Sequence, residues 1–203
     1  MSARDRILAR LAGAPSSDID AEAQALLRAP ERPQIDPDAL IEAFAAALAG
    51  PSVAATLDRI DRIEAVPDAV RRYLGAENGS VGLYLPPDSR LADLDWRGMA
   101  IAAECPIDGG AALALATAAV AETGTLVLDT APSAPMLPNF LALHHIVVVR
   151  RETLVPYLED IPGPGTWPRA RYWITGVSGT TDIEGQYVRG AHGPRFLHVL
   201  LIG

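Results

Sequence analysis

The sequence predicts a three-layer α/β/α sandwich with a mainly parallel sheet, preceded by a helical N-terminal segment. Three observations carry this expectation. Apolar runs such as His145–Val149 lack polar alternation, as strands covered on both faces do. The stretches between several of them space their apolar residues three and four apart, the helical interval. The chain has 203 residues, 49% apolar and 21% charged, enough for one such domain with a substantial core.

Residues 2–12 read as a helix, with Ile7, Leu8 and Leu11 on one face and Gly13 and Pro15 ending it. Residues 18–28 form a second, weaker helical pattern. The prolines between Arg28 and Pro37 make an extended connector, because each restricts the residue before it. Asp36 then caps a helix with Pro37 in its first turn, and Leu40, Ile41, Phe44 and Leu48 line its buried side until Gly50-Pro51. The organisation expected is a helical segment over 1–50 and an α/β domain over 51–203.

Val53–Thr56 reads as a short strand, and Ile60, Ile63, Val66, Val70 and Leu74 follow with helical spacing that Pro67 interrupts. Glu77-Asn78-Gly79 is a turn signal. Strands are expected at Val81–Tyr84, Met99–Ala103, Thr125–Leu128, Ile146–Val149, Arg171–Thr175 and Phe196–Ile202. Ala111–Ala121 is alanine-rich and reads as a helix.

The net charge of −8 disfavours a broad nucleic-acid surface, which draws on clustered Lys and Arg. No run approaches 18 apolar residues, so no membrane span is expected, and the first residues lack the apolar centre of a signal peptide. A cytoplasmic location is the default expectation. Cys105 is the single cysteine, so this chain supplies neither an internal disulfide nor the set that holds an iron–sulfur cluster. There is no dinucleotide fingerprint, no Walker loop and no G-x-S-x-G elbow, and no His/Cys/Asp spacing that marks a metal site.

The stretch from Ile174 to Gly203 is the strongest candidate for a site. Gly176, Ser178, Gly179, Thr180 and Thr181 form a loop of small and hydroxyl residues that leads to Asp182 and Glu184. Such a loop before a helix can gather backbone N–H groups around an anion or polar ligand. Thr181 and Glu184 also fit a capping box, with Gly190 closing a helix over 182–189. His192, in a Gly-Pro turn, is a candidate proton shuttle. Glu122, followed by Thr123, Gly124 and Thr125, is either part of a helix C-cap or a cleft carboxylate serving as acid, base or acceptor. His144 and His145 open a strand and point to opposite faces, so they do not chelate one ion together; His198 reads as a half-buried strand residue. In a parallel sheet, the 122 and 178–184 segments are expected at the carboxyl-end crevice.

Ala121-Glu122-Thr123-Gly124-Thr125, then His145–Val149, then Ile174–Leu201 occur in an order that resembles the LUD-domain family, and within it the lactate-utilisation protein C group. The resemblance is dense from about residue 100 onward. It implies a fold like that of CoA transferases and ribose-5-phosphate isomerase. It also implies a role beside iron–sulfur partner proteins in oxidising L-lactate to pyruvate, with the clusters on those partners and no cofactor on this chain. On the residue readings above, Glu122, Asp182 and His192 are the catalytic candidates, and the resemblance favours Glu122 as a pocket residue. Thr123, Gly124, Thr125, Gly176, Ser178, Gly179, Thr180, Thr181 and Glu184 are the candidates for holding a small anion. The alternatives are a stand-alone enzyme on that scaffold, using Glu122 or Asp182, and a scaffold protein without catalysis. Where the family commonly has proline and then a cation, this chain has Val177 and Gly179, which loosens the turn and removes an anion partner.

Overall fold

The computed structural model describes residues 2–12, 19–26, 32, 34–75, 81–105, 107–181, 183–190 and 192–203. They fall into two units, Met1–Gln34 and Ile35–Gly203. The first contains two helices, α1 (Ala3–Ala12) and α2 (Ile19–Leu26). Ser2 and Asp5 exchange hydrogen bonds at the start of α1, each side chain accepting from the other's backbone N–H.

The second unit opens with a single 3-10 turn over Pro37–Ala39, where the Asp36 carboxylate accepts from the Asp38 N–H at 2.9 Å. Helix α3 (Leu40–Ala49) continues from it. Phe44 and Leu48, four apart and wholly buried, fix the helix to the core; burying side chains of that size contributes about 1.5–3 kcal/mol each. Strand β1 (Thr56–Ile60) follows, then α4 (Val66–Gly75). The apolar spacing from Ile60 is thus shared by a strand, a 3-10 turn and a helix. Pro67 sits at the second helical position, where its missing N–H breaks no bond.

Strand β2 (Leu83–Tyr84), helix α5 (Ser89–Ala92), β3 (Ile101–Ala102), β4 (Ala111–Leu115), β5 (Ala118–Val120) and β6 (Thr125–Asp129) come next. They are followed by α6 (Leu137–Leu141), β7 (His144–Arg150), β8 (Leu154–Val155) and β9 (Arg171–Ile174). The last strands are β10 (Gly179–Thr181), β11 (Tyr187–Arg189) and β12 (Phe196–Ile202).

The central sheet has the order β1-β12-β7-β4-β2-β3, and every pairing in it is parallel. The expected α/β class with a parallel sheet therefore holds. Alternate residues of its middle strands enter two separate cores. Val147, Val149, Leu197, Val199 and Leu201 face α3 and a four-stranded sheet of order β8-β5-β6-β9. Ile146, Val148 and Leu200 face α4 and Leu91 of α5. Burial on both sides explains why these strands read as unbroken apolar runs.

Two expected helices do not form, and the strand expected at Val53–Thr56 is displaced to Thr56–Ile60. Ala111–Ala121 is not a helix but β4 and the start of a β5–β6 hairpin. Alanine's helical preference is overridden by strand pairing, with β4 held between β2 and β7. Residues 182–189 do not form a capped helix either: β10 pairs antiparallel with β11, Thr181 opposite Tyr187. The capping-box spelling has no apolar stripe behind it, since Ile183 is fully exposed, so a ladder rather than a helix satisfies this backbone.

Candidate functional site

Backbone bonds fold the Ile174–Leu201 segment back on itself and tie it to Val53. Val177 donates its N–H to Val53 O at 3.2 Å, and Ser178 donates to Pro194 O at 2.9 Å. Gly190 returns a bond to Ser178 O at 2.7 Å. Gly176 is possible here for two reasons: its φ is +95°, and a Cβ would stand 2.8 Å from Val53 Cα and O. Gly193 is similarly close to the loop, since a Cβ there would lie 3.0 Å from Ser178 Cβ and Oγ.

Thr123, Thr125 and Thr175 form a chain of hydroxyls, with Oγ1–Oγ1 distances of 2.7 and 2.6 Å. It ties the turn at 121–124 to the entrance of the 176–178 loop. Gly124 takes the left-handed conformation expected of it (φ +70°), but in the β5–β6 turn rather than at a helix end. Glu122 is exposed on that turn, and its N–H donates to Pro156 O at 3.1 Å.

Beneath the 176–178 loop lies a cavity of about 200 Å³. Gly176, Val177 and Ser178 form one side, Pro194 and Leu197 another, Asn139 and Phe140 of α6 a third, with Ile174 and His145 completing it. None of these residues carries a formal charge at neutral pH, because burial pushes the His145 imidazole down to about 4. His145 Nε2 is buried without a hydrogen-bond partner. His145 and Leu197 are the second residues of β7 and β12, so the cavity lies at the amino ends of these strands, not in the expected carboxyl-end crevice. Parallel pairing sets those ends side by side, with Leu197 opposite His145.

The two adjacent histidines do diverge. His144 lies on the other face, where its Nδ1 is 3.0 Å from the Tyr73 hydroxyl and its ring stacks on Phe196 at 4.8 Å. Tyr73 also stacks on His198 at 4.0 Å, and His198 Nδ1 is 2.7 Å from Thr56 Oγ1. His198 is fully buried rather than half-buried, and that burial holds its imidazole down to about 4 against the opposing pull of Asp58.

Of the residues singled out from sequence, Gly176 and Ser178 line the cavity, and Thr123 and Thr125 reach its entrance through Thr175. Gly179, Thr180 and Thr181 are exposed in β10, and Glu184 is exposed near the hairpin tip. His192 is exposed in the turn before β12. Asp182 lies outside the described residues. Sequence reasoning passed over His145, Asn139 and Phe140 as cavity residues. Only the polar His145 inside an apolar run hinted at it. Among the described residues no group of three or more His, Cys, Asp or Glu is placed to hold a metal ion, and no helix is long and apolar enough to cross a membrane.

A second recess of about 140 Å³ shares Asn139 with this cavity. Its walls are mostly apolar, with Asp88 and Asp129 among the residues that line it. Each carboxylate is already engaged: Asp88 by Arg90, which holds its pKa down, and Asp129 by Arg171 at 2.6 and 2.8 Å.

The model of the LUD domain matches residues 110–202. Lactate utilization protein C of Deinococcus radiodurans is 35% identical over 94 residues, covering 42% of this chain and 42% of that protein. Its namesake from Geobacillus kaustophilus is 33% identical over 90 residues, covering 40% and 38%. The chain thus spans less than half the length of these curated relatives. A crystal structure of a DUF162-family protein from Deinococcus radiodurans shares the fold, with a TM-score of 0.58 at 21% identity over 84% of this chain and 100% of that one. Residues 110–202 lie wholly within the α/β unit and include β4, β7 and β12 of its central sheet, and over that stretch the chain is similar to the LUD domain and to lactate utilization protein C.

Proposed function

We propose that this chain is a cluster-free subunit of a cytoplasmic iron–sulfur system that oxidises L-lactate to pyruvate. That oxidation removes two electrons and two protons from the substrate. Cys105 alone cannot assemble a cluster to accept the electrons, so partner proteins bearing iron–sulfur clusters receive them. The observation that carries this reading is the convergence of two motif segments on one cavity, one through His145 and the other through Gly176–Ser178 and Pro194. Similarity to proteins named for lactate utilization supports lactate as the substrate. In this role the loop and the threonine chain organise a ligand or a partner, and Asp182 and His192 are the candidates for proton transfer. Glu122, exposed on its turn, suits a partner contact better than buried catalysis.

The test is reconstitution of lactate-dependent electron transfer by the iron–sulfur partners with and without this chain. Loss of transfer without it, restored by adding it back, supports the subunit role. Unchanged transfer in its absence defeats it.

A further inference from the structure

The His145 cavity has the chemistry of a site for an uncharged ligand. Among the described residues that line it, the polar side chains are a carboxamide (Asn139), a hydroxyl (Ser178) and an imidazole (His145), set among Phe140, Val177 and Leu197. An ionised carboxylate or phosphate entering it would meet no cation among the described wall residues, and a buried charge without a partner is strongly unfavourable. The N–H groups of Val177 and Ser178 are already committed, to Val53 O and Pro194 O. His145 is 2% exposed and its Nε2 is unpartnered, an arrangement that is costly unless something hydrogen-bonds the ring. At about 200 Å³ the space exceeds the roughly 150 Å³ apolar cavity that accommodates benzene.

We propose that this cavity binds a small uncharged molecule, an apolar body bearing one hydroxyl or carbonyl group, which hydrogen-bonds the His145 imidazole. The proposal goes beyond the lactate reading and places no lactate in this cavity, because ionised lactate is a poor match for described walls without a cation. Burial that keeps the imidazole neutral is consistent with this preference. A hydroxyl can donate to an unprotonated ring nitrogen or accept from a protonated one, so either tautomer serves.

The experiment uses the full chain and three probes of similar shape: phenol, benzene and benzoate. Calorimetric titration near pH 7 is expected to show phenol binding about tenfold more tightly than benzene, the worth of one hydrogen bond, with benzoate weakest. Phenol affinity should stay level from about pH 6 to 8, where the ring does not titrate. In His145→Leu the phenol preference over benzene should vanish. If that variant does not fold, ¹⁵N NMR of the wild-type histidines decides, since phenol must move the His145 ring nitrogens. Absence of phenol binding, tighter binding of benzoate than phenol, or phenol binding that leaves the His145 signals unmoved would each overturn the proposal.

Discussion

Thr125 Oγ1 lies 2.6 Å from Thr175 Oγ1, although the two residues are fifty positions apart, and it simultaneously meets Thr123 Oγ1 at 2.7 Å. Thr125 is buried at the middle of this chain, so its hydroxyl has no water to fall back on. Thr125→Val keeps the shape and removes the link. The expected loss is about 1–2 kcal/mol in urea unfolding, with Thr125→Ser losing less. Thr175→Val added to Thr125→Val should cost little more, because both changes break the same bond. Full additivity would show that the hydroxyls do not interact.

Gly176→Ala should be among the most damaging single-methyl changes in the chain. The φ of +95° is unfavourable for alanine, and the methyl would press on the backbone of Val53 and Ser52, which cannot swing aside as a side chain can. A loss above about 2 kcal/mol is expected. Gly185→Ala provides the control: φ is +79° but a Cβ there meets nothing within 4 Å, so only the conformational term of about 1 kcal/mol remains. Equal losses at the two sites would show that the contact with Val53 is unimportant.

Acid should destabilise the fold earlier than carboxylate titration alone would. His145 and His198 titrate near 4 when folded, against an ordinary value of 6.5, in both cases chiefly through burial. Asp58 pulls His198 the other way and Arg72 adds to the depression. Between those values the unfolded chain binds more protons, so stability is complete above about pH 6.5 and declines as pH falls towards 4. The decline is at most roughly 3 kcal/mol for each ring. Denaturant midpoints taken near pH 7.5 and 4.5 should therefore separate clearly, and less so in His198→Phe. Identical midpoints in the wild-type chain would contradict the depressed values.

Asp129 and Arg171 face each other across β6 and β9 in a two-bond fork, with side-chain exposures of 18% and 12%. Removing one partner leaves the other poorly solvated. Asp129→Ala should cost about 2–4 kcal/mol, whereas the paired change Asp129→Leu with Arg171→Met should recover much of it. Recovery is the discriminating outcome. Its absence would mean that the fork contributes more than mutual neutralisation.

The parts of this molecule that were legible in its sequence are those where local pattern and tertiary burial agree. Phe196–Ile202 reads as a strand and is one, because it is sheathed on both faces and has nothing polar to interrupt it except His198. Ala111–Ala121 misleads because alanine fits a helix intrinsically and also fits a crowded strand, and only the neighbours decide. Thr181 and Glu184 spell a helix start, yet a capping motif stabilises a helix only if a buried face propagates it, and here Ile183 projects into solvent. The loop at Gly176–Ser178 is recognisable from its composition as a meeting place of backbone groups. The cavity's imidazole was not, since a histidine in an apolar run looks the same whether it is satisfied or left unpartnered.

The position of β12 in the sheet constrains how the unit can come into being. Thr56 of β1 pairs beside His198 of β12, 142 residues further along the chain, and β12 is the only strand that joins β1 to β7. During synthesis β1 emerges early and stays an open edge until residue 196 and those after it arrive, so co-translational folding cannot complete the centre of the sheet. Such long-range parallel pairing is slow and leaves bare strand edges for a partner chain to capture. A circular permutant that places β12 just ahead of β1 in the order of synthesis would shorten that interval, and it should refold faster and aggregate less while keeping the same native sheet.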